Sequence, residues 1–235
     1  AKYAKEGHTL LHLDHVPVID EDHLEVDYLP IIQRAIKAGY QSVMVDASRL
    51  SLEGNIAATK SVADIAHAAG IPVEAELGAV MGHETEQAAI PYEEIFEKKM
   101  GFTTVEDATK FVRESGCDWL SVAVGSVHGA IAANLLDKKK PAAKLDIERI
   151  TELEAALDIP LVLHGGSGIE NDYILKGIQA GIAKINVGTE LRQPYERAMR
   201  EKNDVEYARE CVYKRCRELI RDFLHTAGDA EILAK

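Results

Sequence analysis

Three histidines stand just beyond short apolar runs: His15 in Leu-His-Leu-Asp-His, His128 in Val-Gly-Ser-Val-His-Gly, and His164 in Leu-Val-Leu-His-Gly-Gly-Ser-Gly. Neutral imidazoles converging from separate strands suit zinc and leave one coordination position open to substrate. Each one alone reads as a hydrogen-bonded histidine at a strand end, because no His-Glu-x-x-His spacing links any pair locally. The three together, with carboxylates beside them, read as a metal site. Asp14 adjoins His15 and could act as a general acid/base beside the metal or orient a ligating histidine. Asp46 and Glu76 end two further apolar runs, and two readings stay open for them: oxygen ligands at a second metal position, or ion-pair partners at the mouth of a barrel. Glycine-rich turns follow at Gly165, Gly166 and Ser167 and at Asn186, Val187, Gly188 and Thr189. Backbone amides of such turns at a helix N-terminus bind phosphate, so a phosphorylated substrate is expected.

The elements that must carry these residues alternate along the chain. Apolar runs at Leu10 to Leu13, Ser42 to Val45, Val73 to Leu77, Trp119 to Val124, Leu161 to Leu163 and Ala183 to Val187 read as strands. Between them lie helical periodicities over Tyr28 to Ala38, Leu52 to Ala69, Thr104 to Ser115, Asp146 to Leu157 and Asn171 to Ala180. Ser51, Thr104 and Asp146 are N-cap residues, and Gly39, Gly70 and Gly116 are stops. Two helical stretches, Leu191 to Glu201 and Val205 to Thr226, close the chain. The polar segment 79 to 103 reads as a long loop with at most one short helix, and loops of that length are usually functional. The segment from Ile131 to Lys144, with its lysine triplet, is a second excursion.

Reactive groups close nearly every strand, which is the habit of a (β/α)8 barrel; an open doubly wound sheet gathers its chemistry at one switch point. The expected fold is therefore an α/β TIM barrel. Six strand-helix units are readable where eight are needed, so residues 1–235 are expected to form a single barrel domain lacking its first two units, about 60 to 70 residues at ~250 per barrel.

Composition narrows the partners. Against 39 acidic residues stand 27 Lys and Arg, a net charge of −12 that argues against a nucleic-acid clamp. No run approaches the roughly 18 apolar residues of a membrane span. Cys117, Cys211 and Cys216 make neither a metal framework nor an even disulfide set, which fits a soluble protein of a reducing cytoplasm.

Six motifs in order, His-Leu-Asp-His, Ser-Val-Met-Val-Asp-Ala-Ser, Glu-Ala-Glu-Leu-Gly, Val-Gly-Ser-Val-His-Gly, Leu-Val-Leu-His-Gly-Gly-Ser-Gly and Lys-Ile-Asn-Val-Gly-Thr-Glu-Leu, resemble the class II, zinc-dependent ketose-bisphosphate aldolases acting on fructose or tagatose bisphosphate. The resemblance runs from about Leu10 to Leu191. It implies a TIM barrel whose third to eighth strands are the six read here, and retro-aldol cleavage to dihydroxyacetone phosphate and an aldehyde phosphate through a metal-stabilised enediolate. His15, His128 and His164 match the zinc ligands, Asp14 the acid/base, and Asp46 and Glu76 the ligands of a second metal or monovalent cation. Gly129, Gly165 to Ser167 and Asn186 to Thr189 match contacts to dihydroxyacetone phosphate. Glu84 falls where the family has a loop glutamate that returns a proton to the enediolate carbon, although Met81-Gly82-His83-Glu84-Thr85 lacks the usual acidic run. No Schiff-base lysine is called for. Two departures, the polar insertion Val16 to Asp27 and Gly188 where Asn or Asp is common, touch the aldehyde side of the substrate. A homodimer or homotetramer is implied. Other classes consistent with the residues are a metal-dependent barrel hydrolase and a non-catalytic phosphosugar-binding subunit.

Overall fold

The computed structural model describes residues 9–78, 91–126 and 143–229. They divide into two compact units, one spanning Leu11–Ile185 and the other containing Asn186 onward. In the first unit, strands β1 (His12–Pro17), β2 (Ser42–Asp46), β3 (Val73–Leu77), β4 (Trp119–Val122), β5 (Leu161–Leu163) and β6 (Ile182–Ile185) alternate with helices α1 (Tyr28–Lys37), α2 (Leu52–Ala68), α3 (Tyr92–Glu97), α4 (Val105–Ser115), α5 (Ile147–Ala156) and α6 (Asn171–Gln179). The sheet is wholly parallel and its spatial order is the sequence order, β1-β2-β3-β4-β5-β6. A doubly wound sheet would reverse direction at a switch point; this one does not.

Curvature follows from contacts between distant strands. In a flat sheet, strands four places apart lie about 19 Å from each other at the usual spacing. Yet ring nitrogens of His15 on β1 and of His164, the residue after β5, meet at 2.8 Å, and Lys184 on β6 reaches Glu74 on β3 at 2.9 Å. The sheet is rolled like a barrel wall, and alternate side chains point into its hollow. The outward residues Val43, Val45 and Val73 pack with Ile32, Ala35, Val62, Ala63 and Ala66 of the first two helices in one buried cluster. Helices thus cover the outer face of this part of the sheet.

The expected punctuation is where it was read. Ser51 Oγ accepts the Gly54 N–H, Thr104 Oγ1 accepts that of Asp107, and an Asp146 oxygen accepts that of Arg149. Gly116 closes α4 in the left-handed conformation. Boundaries shift where something else satisfies the backbone. The first strand begins at His12 because its ladder partner begins at Ser42, and it runs on through Val16 and Pro17. The fourth stops at Val122 because the Ala123 N–H turns aside to Thr103 Oγ1. The sixth covers Ile182–Ile185 and not Ala183 to Val187. The short helix allowed within 79 to 103 is α3; residues 79 to 90 lie outside those described.

The second unit carries α7 (Thr189–Lys202) and α8 (Val205–Glu218). Arg215 on α8 holds a Glu190 oxygen through Nε at 3.1 Å and Nη2 at 2.7 Å. The stretch expected as one helix to Thr226 ends as α-helix at Glu218 and widens to a π turn over Leu219–Phe223, where the Leu224 N–H reaches back five residues to the Leu219 carbonyl. Among the described residues no helix is long and apolar enough to cross a membrane.

Candidate active site

Regular alternation along β1 would send Asp14 and His15 to opposite faces. The register prevents this: Leu13 pairs with Val43 and Val16 with Val45, so Asp14 and His15 together stand opposite Met44. This is a β-bulge, and His15 sits in it at a φ of 39°, a left-handed conformation that histidine adopts at a cost. The bulge delivers both side chains to the same hollow. Asp14 stays half exposed, with an oxygen 3.8 Å from His12 Nε2.

Hydrogen bonds then settle the imidazole tautomers. His164, completely buried, donates from Nε2 to Glu74 at 2.7 Å, which turns its Nδ1 toward His15. His15 donates from Nδ1 to Asp46 at 3.1 Å, which turns its Nε2 toward His164. These two nitrogens face each other at 2.8 Å. Burial pulls the His15 imidazole down, but its bond to Asp46 and the nearby Glu76 and Asp14 carboxylates outweigh that and raise its pKa to about 9. Asp46 is partly buried, yet the His15 and Ser48 donors hold its carboxyl below the ordinary range.

A histidine that gives one N–H to a carboxylate and turns its other nitrogen inward is the usual metal-ligand arrangement. Two of them share one focus here. Asp14, His15 and His164 offer ligand atoms within 4.8 Å of one another, and so do His15, Asp46 and Glu76. Glu76 is buried, and its Oε2 has no hydrogen-bond partner among the described residues while lying 3.4 Å from His164 Nδ1. Burial, reinforced by the Asp46 charge, pushes its carboxyl up to about 8. A buried carboxyl oxygen beside two imidazole nitrogens that face each other is a donor set that fits a divalent cation.

Of the residues expected from sequence, Asp14, His15, Asp46, Glu76 and His164 come together. Gly165, Gly166 and Ser167 follow His164 directly, Gly165 at φ 70° and Ser167 buried. Asn186, Val187, Gly188 and Thr189 belong to the second unit, where Gly188 caps α7. Glu84, His128 and Gly129 lie outside the described residues.

Three participants went unassigned from sequence: His12, Glu74 and Lys184. Glu74 is fully buried and lies between the His164 ring and the Lys184 ammonium. Burial works against its charge, but these two partners prevail and keep its pKa below the ordinary value. Alternation in Glu-Ala-Glu places Glu74 and Glu76 on one face and was a usable signal. Lys184 was hidden by a second irregularity: Leu161 pairs with Ile182 but Val162 with Lys184, so one extra residue turns Lys184 inward. His12 gives Nδ1 to a 2.8 Å contact with Ser42 Oγ and points Nε2 at Glu74, 3.5 Å away, and burial lowers its pKa.

A parallel α/β wall with a histidine and carboxylate focus on its inner face is a barrel-type frame around a candidate metal site. Comparison with known proteins gives the family. The profile of class II fructose-bisphosphate aldolases matches residues 1–230. Among solved structures, the YdjI aldolase of Escherichia coli K12 is 33% identical, with a TM-score of 0.72 over 94% of this chain and 71% of that one. A Coccidioides immitis protein, solved as a candidate fructose-1,6-bisphosphate aldolase, is 30% identical, with a TM-score of 0.73 over 95% of this chain and 73% of its own. A fructose-bisphosphate aldolase of Campylobacter jejuni, at 22% identity and a TM-score of 0.65 over 92% and 70%, shares the fold. The chain belongs to the class II fructose-bisphosphate aldolase family and is an aldolase, which decides between the lyase and hydrolase readings.

Proposed function

We propose that this aldolase is zinc-dependent and reversibly cleaves a ketose 1,6-bisphosphate of the fructose or tagatose type to dihydroxyacetone phosphate and an aldehyde phosphate. The observation that carries the metal reading is the pair of imidazole nitrogens on His15 and His164 that face each other at 2.8 Å, each ring fixed by a carboxylate on its other nitrogen. His15 and His164 would hold the ion with His128 as the third nitrogen, and a set rich in imidazole favours zinc over magnesium or calcium. Bound there, the ion supplies Lewis-acid stabilisation of the negative charge that develops as the carbon–carbon bond breaks.

The chain's own residues do the rest. Asp14 stands at the exposed rim of the focus and takes the proton of the substrate hydroxyl whose carbon departs as aldehyde; in synthesis it returns that proton. Glu84 delivers a proton to the enediolate carbon of the dihydroxyacetone phosphate half. Backbone amides at Gly129, Gly165 to Ser167 and Asn186 to Thr189 receive the phosphate without requiring net positive charge. Asp46 and Glu76 orient the imidazoles or take a second cation.

Assay of dihydroxyacetone phosphate release from fructose and tagatose 1,6-bisphosphates, before and after chelation and after zinc is restored, tests this reading. Expected is activity on at least one of them, lost on chelation and recovered with zinc. Undiminished cleavage by thoroughly metal-free protein overturns it.

A further inference from the structure

We propose that Glu74 is a positioning residue that fixes the tautomer of His164, and that Lys184 dictates which acceptor can stand at position 74. The inference rests on His164 being a metal ligand through Nδ1, and it explains a lysine inside an aldolase hollow without a Schiff base. Both oxygens of Glu74 are engaged: Oε1 accepts from His164 Nε2 at 2.7 Å, and Oε2 forms an ion pair with the Lys184 ammonium at 2.9 Å. An ammonium can only donate. Lys184 therefore demands an acceptor at that end of residue 74, and a carboxylate can meet the demand while also accepting from His164. The imidazole proton is thereby held on Nε2, and Nδ1 presents its lone pair toward His15.

A glutamine in place of Glu74 exposes the logic, because it has the same shape but one acceptor and one donor end. With Lys184 present, the amide oxygen must face the ammonium and the NH2 must face His164. His164 Nε2 then has to accept, its proton moves to Nδ1, and the nitrogen meant for metal is blocked. With Lys184 replaced by methionine, the amide is free to turn. Its oxygen faces His164, and its NH2 faces His12 Nε2, which lies 3.5 Å from Glu74 Oε2 and can accept while His12 Nδ1 bonds Ser42 Oγ.

The prediction is a reversal of sign between two substitutions. Zinc and cobalt affinity of the whole chain, measured by competition with a chromophoric chelator, should fall about 10- to 100-fold in Glu74→Gln, the usual loss when the group behind a ligating histidine is disturbed. Lys184→Met alone should change it less than about threefold. Combining the two should recover most of the loss, so that a second substitution in the site improves binding, a coupling only a double-mutant cycle reveals. Nitrogen-15 spectra of the histidine rings in metal-free protein should place the His164 proton on Nε2 in wild type and in the double variant, and on Nδ1 in Glu74→Gln. A double variant no tighter than Glu74→Gln overturns the proposal, as does a Lys184→Met loss equal to that of Glu74→Gln. Should Glu74→Gln fail to fold, the wild-type spectrum still decides: a proton on His164 Nδ1 sinks the idea. Wild-type protein that binds neither metal removes the metal reading itself, and the proposal with it.

Discussion

Asp14 and His15 are sequence neighbours, and the bulge turns both side chains inward. Asp14 is the more exposed and lies at the edge of the imidazole pair, so its removal should leave the two facing nitrogens in place. Asp14→Ala is expected to reduce kcat by about 100- to 10,000-fold, the range of a lost acid/base, with metal content per chain unchanged. Metal analysis beside initial-rate measurement checks both halves; equal loss of metal would make Asp14 a ligand. The residue types at this centre were readable from sequence because His, Asp and Glu interrupt otherwise apolar strands. Their facing was less so. Period-2 alternation puts Asp14 and His15 on opposite sides, and nothing in Leu-Asp-His-Val announces an extra residue in the ladder. The same kind of slip next to Ala183 concealed Lys184. Cys117 shows the opposite case, a polar atom made inert by its surroundings. Burial pushes its thiol up to about 11. At pH 8 only about one molecule in a thousand carries the thiolate there, so a disulfide reagent should titrate Cys211 and Cys216 in native protein and all three thiols in denaturant. Because that folded value lies above the thiol's ordinary 9.0, burial of Cys117 favours the fold below pH 9, and the benefit fades between pH 9 and about 11.

At the level of elements, capping chemistry made the helices legible and tertiary hydrogen bonds blurred the strand ends. Ser51 and Thr104 each satisfy an N-terminal amide of a helix that packs on the sheet. Ser51→Ala and Thr104→Ala should each cost about 1 kcal/mol of unfolding free energy and add almost independently, read as shifts in urea midpoint at constant slope. Gly125 carries a tighter constraint. Its φ is 108°, and a Cβ there would come within 2.6 Å of both the Lys144 carbonyl and the Phe96 ring. Tyr92 bridges the same spot, accepting from the Lys144 N–H at 2.7 Å with its hydroxyl 3.0 Å from the Gly125 carbonyl. Neither neighbour is the free end of a flexible chain, so Gly125→Ala should cost about 3 kcal/mol from strain and overpacking together. A thermal melt within a degree of wild type would show that this neck yields more easily than its contacts imply. Sequence gave warning of a glycine here but not of α3 as its packing partner, because six residues of helix carry too little periodicity to stand out.

For the whole molecule, a net charge of −12 looks unsuited to a bisphosphate until local fields are separated from the total. Four carboxylates, Asp14, Asp46, Glu74 and Glu76, gather about the imidazole pair, and a divalent ion would relieve their mutual repulsion as well as polarise substrate. Zinc at about 1,000 times its dissociation constant should therefore stabilise the fold by roughly 4 kcal/mol, and chelation should lower the melting temperature reversibly. An unchanged melt would mean that the ion contributes nothing to the folded state.

The sequential strand order has one more consequence, and it concerns time. Each strand pairs with the one that follows it, so the wall can grow from contacts close along the chain, a topology that favours rapid formation of local units. The imidazole pair has the opposite character: its two members are 149 residues apart, and they meet only when the first and fifth strands have curled around the same hollow. Competence to capture a metal is thus among the last properties the chain acquires as it folds. In a stopped-flow refolding experiment, cobalt colour should trail the return of helical circular dichroism, which makes the ion a clock for closure of the wall.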